Sequence, residues 1–354
     1  MSKRASLFLQ VAVAPVAVFF FFYGLMKAKA FLAPLLLAVF LALLMTPLTR
    51  RLERMGMRRV LATSTSTLLV LVVSVTFVLV VFYQVKGFTG DWEEIRYRMD
   101  GKLEELSAYL VERTPLDEEQ VSGYRLDLGL LTLAEGRAGQ GINLMMSLFG
   151  FLTQCLIVIV YVFLFIHYRQ RFKHFILKFF PEEEQAKIGE IIVRASDICR
   201  QYLAGKLLLM VFLAILYFIG LWASGLENAF LISLLAAALS IIPVVGNFIG
   251  YLVAMAVSLL SDGGTGTLIG ITLTFALAQI IDTYILQPIV LGDKVDVHPV
   301  FIILSVVLGY FVWGIMGLVL AVPLFGMLAV ICRYVPALQP FGFLFSRNNR
   351  GKGI

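Results

Sequence analysis

TRRLERMGMRRVLATSTSTLLVLVVSVTFVLVVFY, residues 49–83, decides the fold. From Leu61 to Tyr83 it carries no charge, and as a helix such a run is long enough to cross the roughly 30 Å of hydrocarbon in a bilayer. Just before that run, Arg50, Arg51, Arg54, Arg58 and Arg59 face a single acid, Glu53. Basic loops stay on the cytoplasmic side of a membrane, so this loop is expected inside and the run after it is expected to lead out.

Runs of the same kind recur on both sides: Leu7–Met26, Phe31–Met45, Leu144–Ile166, Leu207–Trp222 and Leu268–Ile281. Of the 354 residues 60% are hydrophobic and only 15% charged, so lipid rather than water is the main solvent of this chain. The expected fold class is an all-α polytopic membrane protein with about eight transmembrane helices, some broken or re-entrant in the C-terminal half. Lys3 and Arg4 precede the first run as in a secretory signal, but Lys27 and Lys29 follow it with no small-residue cleavage pattern, so a retained span is expected. Cys155, Cys199 and Cys332 fit no metal or redox spacing and read as core filler. The formal charge of +6 sits at the ends of spans, where topology places it, which argues against nucleic acid as a partner.

Counting spans from the arginine loop puts the N-terminus inside, and Arg333, Arg347, Arg350 and Lys352 favour a C-terminus on the same side. Residues 1–85 are expected to hold three spans, and 86–140 an extracytoplasmic, mostly helical insertion in which Trp92, Ile95, Met99, Leu103, Leu106 and Leu110 form one face. Residues 141–168 make a fourth span. A cytoplasmic amphipathic segment, 169–205, begins with Arg169, Arg171 and Lys173 and continues past Pro181 with the acids Glu182, Glu183 and Glu184, which suit a helix start. Residues 206–335 form a core with broken helices, and 336–354 a cytoplasmic tail.

Within that core two interruptions stand out, IPVVGNFIG at 242–250 and QPIVLG at 287–292. Backbone freed by Pro243 or Pro288 cannot face lipid unsatisfied, so these breaks are expected to be buried in protein or to line a wet cavity. Pro243 with Gly246, and Pro288 with Gly292, read either as paired broken helices around a transport site or as ordinary kinks and close packing. Whether 228–260 and 300–332 are kinked spans or re-entrant hairpins is open at this level.

Asp282 lies deep in the run from Leu268, with Gln279 and Thr283 expected on its face, Gln287 after it, and no base nearby in sequence before Lys294. Carboxylates inside membranes are costly, and a carboxyl that exchanges between charged and neutral forms is what ion coupling requires. A hydrogen-bonding role between helices, or a hydrated place near the membrane face, is the other reading. His298 before Pro299 reads as a titrating group or a helix cap. His167 and His174, among basic residues, read as surface groups. No serine nucleophile has a histidine base in a fitting arrangement, and neither paired metal-binding histidines nor a phosphate loop occurs, so an enzyme and a resident metal are not expected.

IPVVGNFIG, followed by QIIDTYILQPIVLGDKVDVHPVFIILSVVLGYFVWGIMGLVLAVPL, resembles the C-terminal signature of the AI-2E family of bacterial membrane transporters. FLAPLLLAVFLALLMTPLTRRLERMGMRR is similar to that family's second span and loop, so the likeness covers essentially the whole chain. The resemblance implies an inner-membrane homo-oligomer, with a pentamer as the best guess, that works without a cofactor. Members are associated with export of the quorum-sensing signal autoinducer-2, and others with sodium–proton exchange. The matching positions are Pro243, Gly246, Gln279, Asp282, Pro288, Gly292, His298, Pro299, Gly309, Gly314, Gly317 and Pro323. Asn247 stands where the family often has proline or a small residue, and Tyr284 where a smaller polar residue is frequent.

Two classes of function follow. One is a secondary transporter exporting a small polar solute, with H+ or Na+ coupled at Asp282 and a sodium/proton antiporter as its variant; Gln279, Gln287, His298 and Asn247 are the further candidates for that site. The other is an oligomeric membrane scaffold through which no solute passes.

Overall fold

The computed structural model describes residues 3–90, 137–242, 245–261, 263–292 and 297–346. The expected insertion lies outside these from residue 91 to 136, as do Pro243, Lys294 and the chain after Ser346. The described elements are all helical: α1 (Lys3–Lys27), α2 (Lys29–Arg54), α3 (Arg59–Gly90), α4 (Arg137–His167), α5 (Arg169–Leu177), α6 (Glu182–Ala223), α7 (Ala229–Leu239), α8 (Val245–Leu260), α9 (Thr265–Ile281), a π-helical turn (Asp282–Leu286), α10 (Gln287–Val290), α11 (Pro299–Trp313), α12 (Ile315–Tyr334), a 3₁₀ turn (Pro336–Leu338) and α13 (Gln339–Phe345).

Among the described residues five helices are long and apolar enough to cross a bilayer, and six if α4 and α5 count as one bent span. Shorter apolar helices, such as Ala229–Leu239 and Pro299–Trp313, accompany these, where the sequence reads about eight spans. The chain is an all-α polytopic membrane protein. Many of its large apolar side chains face outward, as with Phe19, Val73, Ile219 and Ile303, while the small residues Ala38, Ala42, Ala62, Thr49, Thr63 and Ser66 are buried. Lipid is as apolar as leucine, so helices associate through small residues that let backbones approach and through hydrogen bonds between them. The Thr49 hydroxyl donating to Ser66 Oγ at 2.8 Å, buried between α2 and α3, is one such bond.

α6 runs unbroken for 42 residues. Its composition changes near Gly205, but one buried stripe continues through Ile191, Ala195, Cys199, Tyr202, Leu209, Leu213, Tyr217 and Leu221. The amphipathic segment and the fifth apolar run are therefore a single rod, about 63 Å long at 1.5 Å per residue.

The interrupted regions are hairpins. α7 and α8 pack side by side, with Gly250 against Ala236, and their 11 and 16 residues. At about 16 and 24 Å, neither arm spans 30 Å of hydrocarbon alone. α11 and α12 fold back on each other at Gly314, which has φ +64°. They cross where Gly309 meets Gly317, so closely that a Cβ on Gly317 would lie 1.8 Å from the Gly309 carbonyl oxygen. α12 is the most enclosed of the long helices and touches α2, α6, α11 and α13. Residues 336–345, expected as part of a tail, fold back as α13: Gly342 lies against Arg333, and the Phe345 ring packs on Phe301 and Phe325.

At the arginine-rich end, α4 and α5 meet at Tyr168 with a bend of 66°. The corner is held to the α2–α3 loop by the Arg169 guanidinium on Glu53 at 2.5 Å and by Arg59 donating to the His167 carbonyl. Both members of the ion pair are about four-fifths buried. Arg169→Ala is expected to cost about 1–3 kcal/mol, less than a fully enclosed pair would. A thiol-reactive dye that reads the buried Cys199 and Cys332 on unfolding should show a midpoint lower by roughly 1–4 °C. An unchanged midpoint would show that the pair does not hold this corner.

Candidate functional site

α9 turns Ile271, Phe275 and Ala278 inward, and the next position of that stripe is Asp282, only 3% exposed. The backbone here is shaped by Pro288. Proline has no N–H, and within an α-helix its ring would strike the carbonyl four residues back, here that of Tyr284. The chain widens instead into the π-helical turn Asp282–Leu286, and the Gln287 N–H donates to the carbonyl of Asp282, five residues earlier. Residues five apart on an α-helix point about 140° from each other. The wider turn brings them to one side, and the Gln287 side chain donates through Nε2 to Asp282 Oδ2 at 2.8 Å. Oδ1 is buried with no hydrogen-bond partner among the described residues.

α6 supplies the opposing charge. Gly205 has no side chain where Leu291 and Val290 come close, and a Cβ there would lie 2.7 Å from Leu291 Cδ2. The charge of Lys206, the next residue, is felt at the Asp282 carboxylate. Tyr217 also feels the carboxylate; its hydroxyl is buried without a partner among the described residues, and its ring stacks on Phe275 at 4.5 Å. Neither Lys206 nor Tyr217 is a candidate from the sequence. Lys206 reads there as an ordinary basic flank of the run Leu207–Trp222; its spacing of four from Tyr202 and three from Leu209, on the edge of the buried stripe, is the signal that could have found it.

A second polar group lies on the other side of α9. Asn247 Nδ2 donates to Gln279 Oε1 at 2.7 Å, and Gln279 Nε2 donates to Thr283 Oγ1 at 3.0 Å. This corrects the expectation that Gln279, Asp282 and Thr283 share a face. Gln279 and Thr283 each follow a member of the buried stripe by one residue, so they sit about 100° around the helix and are exposed. The group fastens α8 to α9 and does not touch Asp282.

The other candidates fall in place individually. His298 is exposed and caps α11, its Nδ1 accepting from the Val300 N–H at 3.4 Å, while its own N–H donates to the Phe345 carbonyl at 2.8 Å. It does not join the carboxylate. Gly246 begins α8 where a Cβ would lie 1.8 Å from the Leu239 carbonyl oxygen, so it permits the tight α7–α8 reversal. Gly292, with φ +49°, ends α10. Tyr284 is 76% exposed and points away from both polar groups.

A buried carboxylate on a broken membrane helix, opposed by a lysine from a second helix, suits movement of charged or polar solutes more than any covalent chemistry. Comparison with known proteins agrees. A sequence model for the AI-2E family transporters matches residues 9–337. The chain belongs to the AI-2E transporter family. Among its relatives, PerM of Escherichia coli strain K12, a permease by name, is 28% identical over 327 residues, 89% of each chain. TqsA of the same strain, by name an AI-2 transport protein, is 24% identical over 335 residues, 92% of each chain. YueF of Bacillus subtilis strain 168, a transport protein by name, is 28% identical over 214 residues, and that match covers 59% of this chain and 58% of YueF. This AI-2E transporter is thus a membrane-embedded transport protein with the Gln287–Asp282 hydrogen bond in its C-terminal half.

Proposed function

We propose that this AI-2E transporter exports a small polar solute of the autoinducer-2 kind in exchange for protons that bind at Asp282. The observation that carries this reading is the carboxylate itself, 3% exposed on a π-helical turn, with one oxygen held by Gln287 and the other without a partner among the described residues. A π-turn next to a proline is a point where a helix changes shape. Relatives bearing the names permease and AI-2 transport protein support the solute class.

The test uses the full chain in proteoliposomes loaded with autoinducer-2 and a pH-sensitive dye. Efflux driven by an imposed pH gradient and accompanied by proton movement is the expected result. Efflux equal to that of protein-free vesicles overturns it. Collapse of the pH gradient on adding sodium, with no solute moving, would assign sodium/proton exchange instead.

A further inference from the structure

A second polar feature lies at the arginine-rich end, away from Asp282. A cleft of about 480 Å³ opens there between the end of α2 and the side of α6, lined by Pro47, Leu48, Arg50, Arg51, Arg54 and Arg200. Small-molecule sites occupy roughly 300–1,000 Å³, so the space suits a compact headgroup. Four guanidinium groups converge on it from two helices, and no carboxylate is among the lining residues. Asp197 pairs with one of the four, Arg200, at 3.1 Å on the exposed surface of α6, and Glu53 is turned to Arg169, so Arg50, Arg51 and Arg54 line the cleft with no acid beside them in it.

The carbonyl end of α2 explains part of this. A helix C-terminus draws cations, and Arg51 and Arg54 occupy the last turn of α2. Arg200 lies in the interior of α6, where no helix end attracts it. Like charges brought together by separate elements call for an anion between them, and arginine's planar fork is suited to the oxygens of phosphate. The apolar wall narrows the choice further. Pro47 and Leu48 are the last apolar residues before the arginines on a helix that crosses the bilayer, so the cleft has one greasy side and one cationic side. That combination fits an amphiphile whose acyl chains stay in the hydrocarbon while its phosphate turns into the cleft.

We propose that this cleft is a binding site for an anionic phospholipid, with the phosphate of the headgroup held by Arg50, Arg51, Arg54 and Arg200. The relevant chemistry is a phosphodiester with acyl chains; a free phosphate shares the anionic part and lacks the apolar part.

The full chain, purified in detergent, is titrated with phosphatidylglycerol or phosphatidylcholine, and retained lipid is counted by native mass spectrometry. Phosphatidylglycerol should be retained in preference, and Arg54→Gln and Arg200→Gln should each weaken its binding about fivefold, and together about 25-fold. Arg58→Gln and Arg171→Gln remove the same charge outside the cleft and should leave retention unchanged. Arg51 and Arg54 are exposed, so Arg51→Gln with Arg54→Gln carries the same test should the Arg200 variant fail to fold. Equal loss in the variants outside the cleft, equal retention of the two lipids, or complete displacement of phosphatidylglycerol by millimolar inorganic phosphate would each overturn the proposal.

Discussion

Asp282→Asn is expected to bring pH-gradient-driven efflux of autoinducer-2 from proteoliposomes down to that of protein-free vesicles. The substitution keeps the shape of the side chain and its bond to Gln287, since an amide oxygen accepts as a carboxylate oxygen does. It removes the charge and the exchangeable proton, and with them any coupling. It also leaves Lys206 facing a neutral group in a medium of low dielectric. Removing one partner of a fully enclosed pair costs about 3–5 kcal/mol; Lys206 is only partly buried and its long stem can reach toward water, so about 1–3 kcal/mol is expected here. The double variant Asp282→Asn with Lys206→Met should therefore regain thermal stability and remain inactive. Recovery of efflux in that double variant would show that the pair is structural and that protons load elsewhere. Wild-type efflux in Asp282→Asn alone would remove the carboxylate from the mechanism altogether.

Gly317→Ala is expected to lower the yield of monodisperse protein to near zero. The added methyl would lie 1.8 Å from the Gly309 carbonyl oxygen and 2.4 Å from its carbon, so the obstacle is backbone and cannot rotate away. Overpacking a core usually costs about 1–3 kcal/mol, and a clash with main chain at the centre of a helical hairpin lies beyond the upper end of that range. Because α12 also holds α2, α6 and α13, opening the α11–α12 crossing loosens several contacts together. Gly266→Ala is the matching control: nothing lies within 4 Å of its would-be Cβ, and alanine in a helix gains up to about 1 kcal/mol over glycine. Fluorescence-detected size exclusion of the two variants reads the difference directly. A well-behaved Gly317→Ala protein would mean that the hairpin arms lie further apart than they do here.

The membrane fold was legible because lipid makes hydrophobicity an almost absolute rule. Uncharged runs such as Leu61–Tyr83 and arginine-rich loops such as 49–59 need no knowledge of tertiary contacts to be read. The carboxylate was legible for the same reason, as a charge out of place. Its setting was less so. A π-turn has no composition of its own, and Pro288 signals that the helix must adjust without saying how. Lys206 feels Asp282 from another helix, α6, which approaches α10 closely at Gly205. The one-residue offset that turns Gln279 and Thr283 outward depends on which stripe of α9 meets α6, a fact of packing. α13 is not legible in the sequence because QPFGFLF is short, follows Pro336 and holds Pro340, and its place is set by Phe301, Phe325 and Arg333.

The length of α6 gives the centre of the protein a remote pointer. Lys206 sits partway along a straight rod, and from it to Glu182 the helix extends about 36 Å, so a tilt of about 5° at the lysine swings the far tip through about 3 Å. Any tilt of α6 that follows a change of charge at Asp282 would be largest at the Glu182–Glu184 end. A spin label on Glu184 turns that end into a gauge needle for the carboxylate.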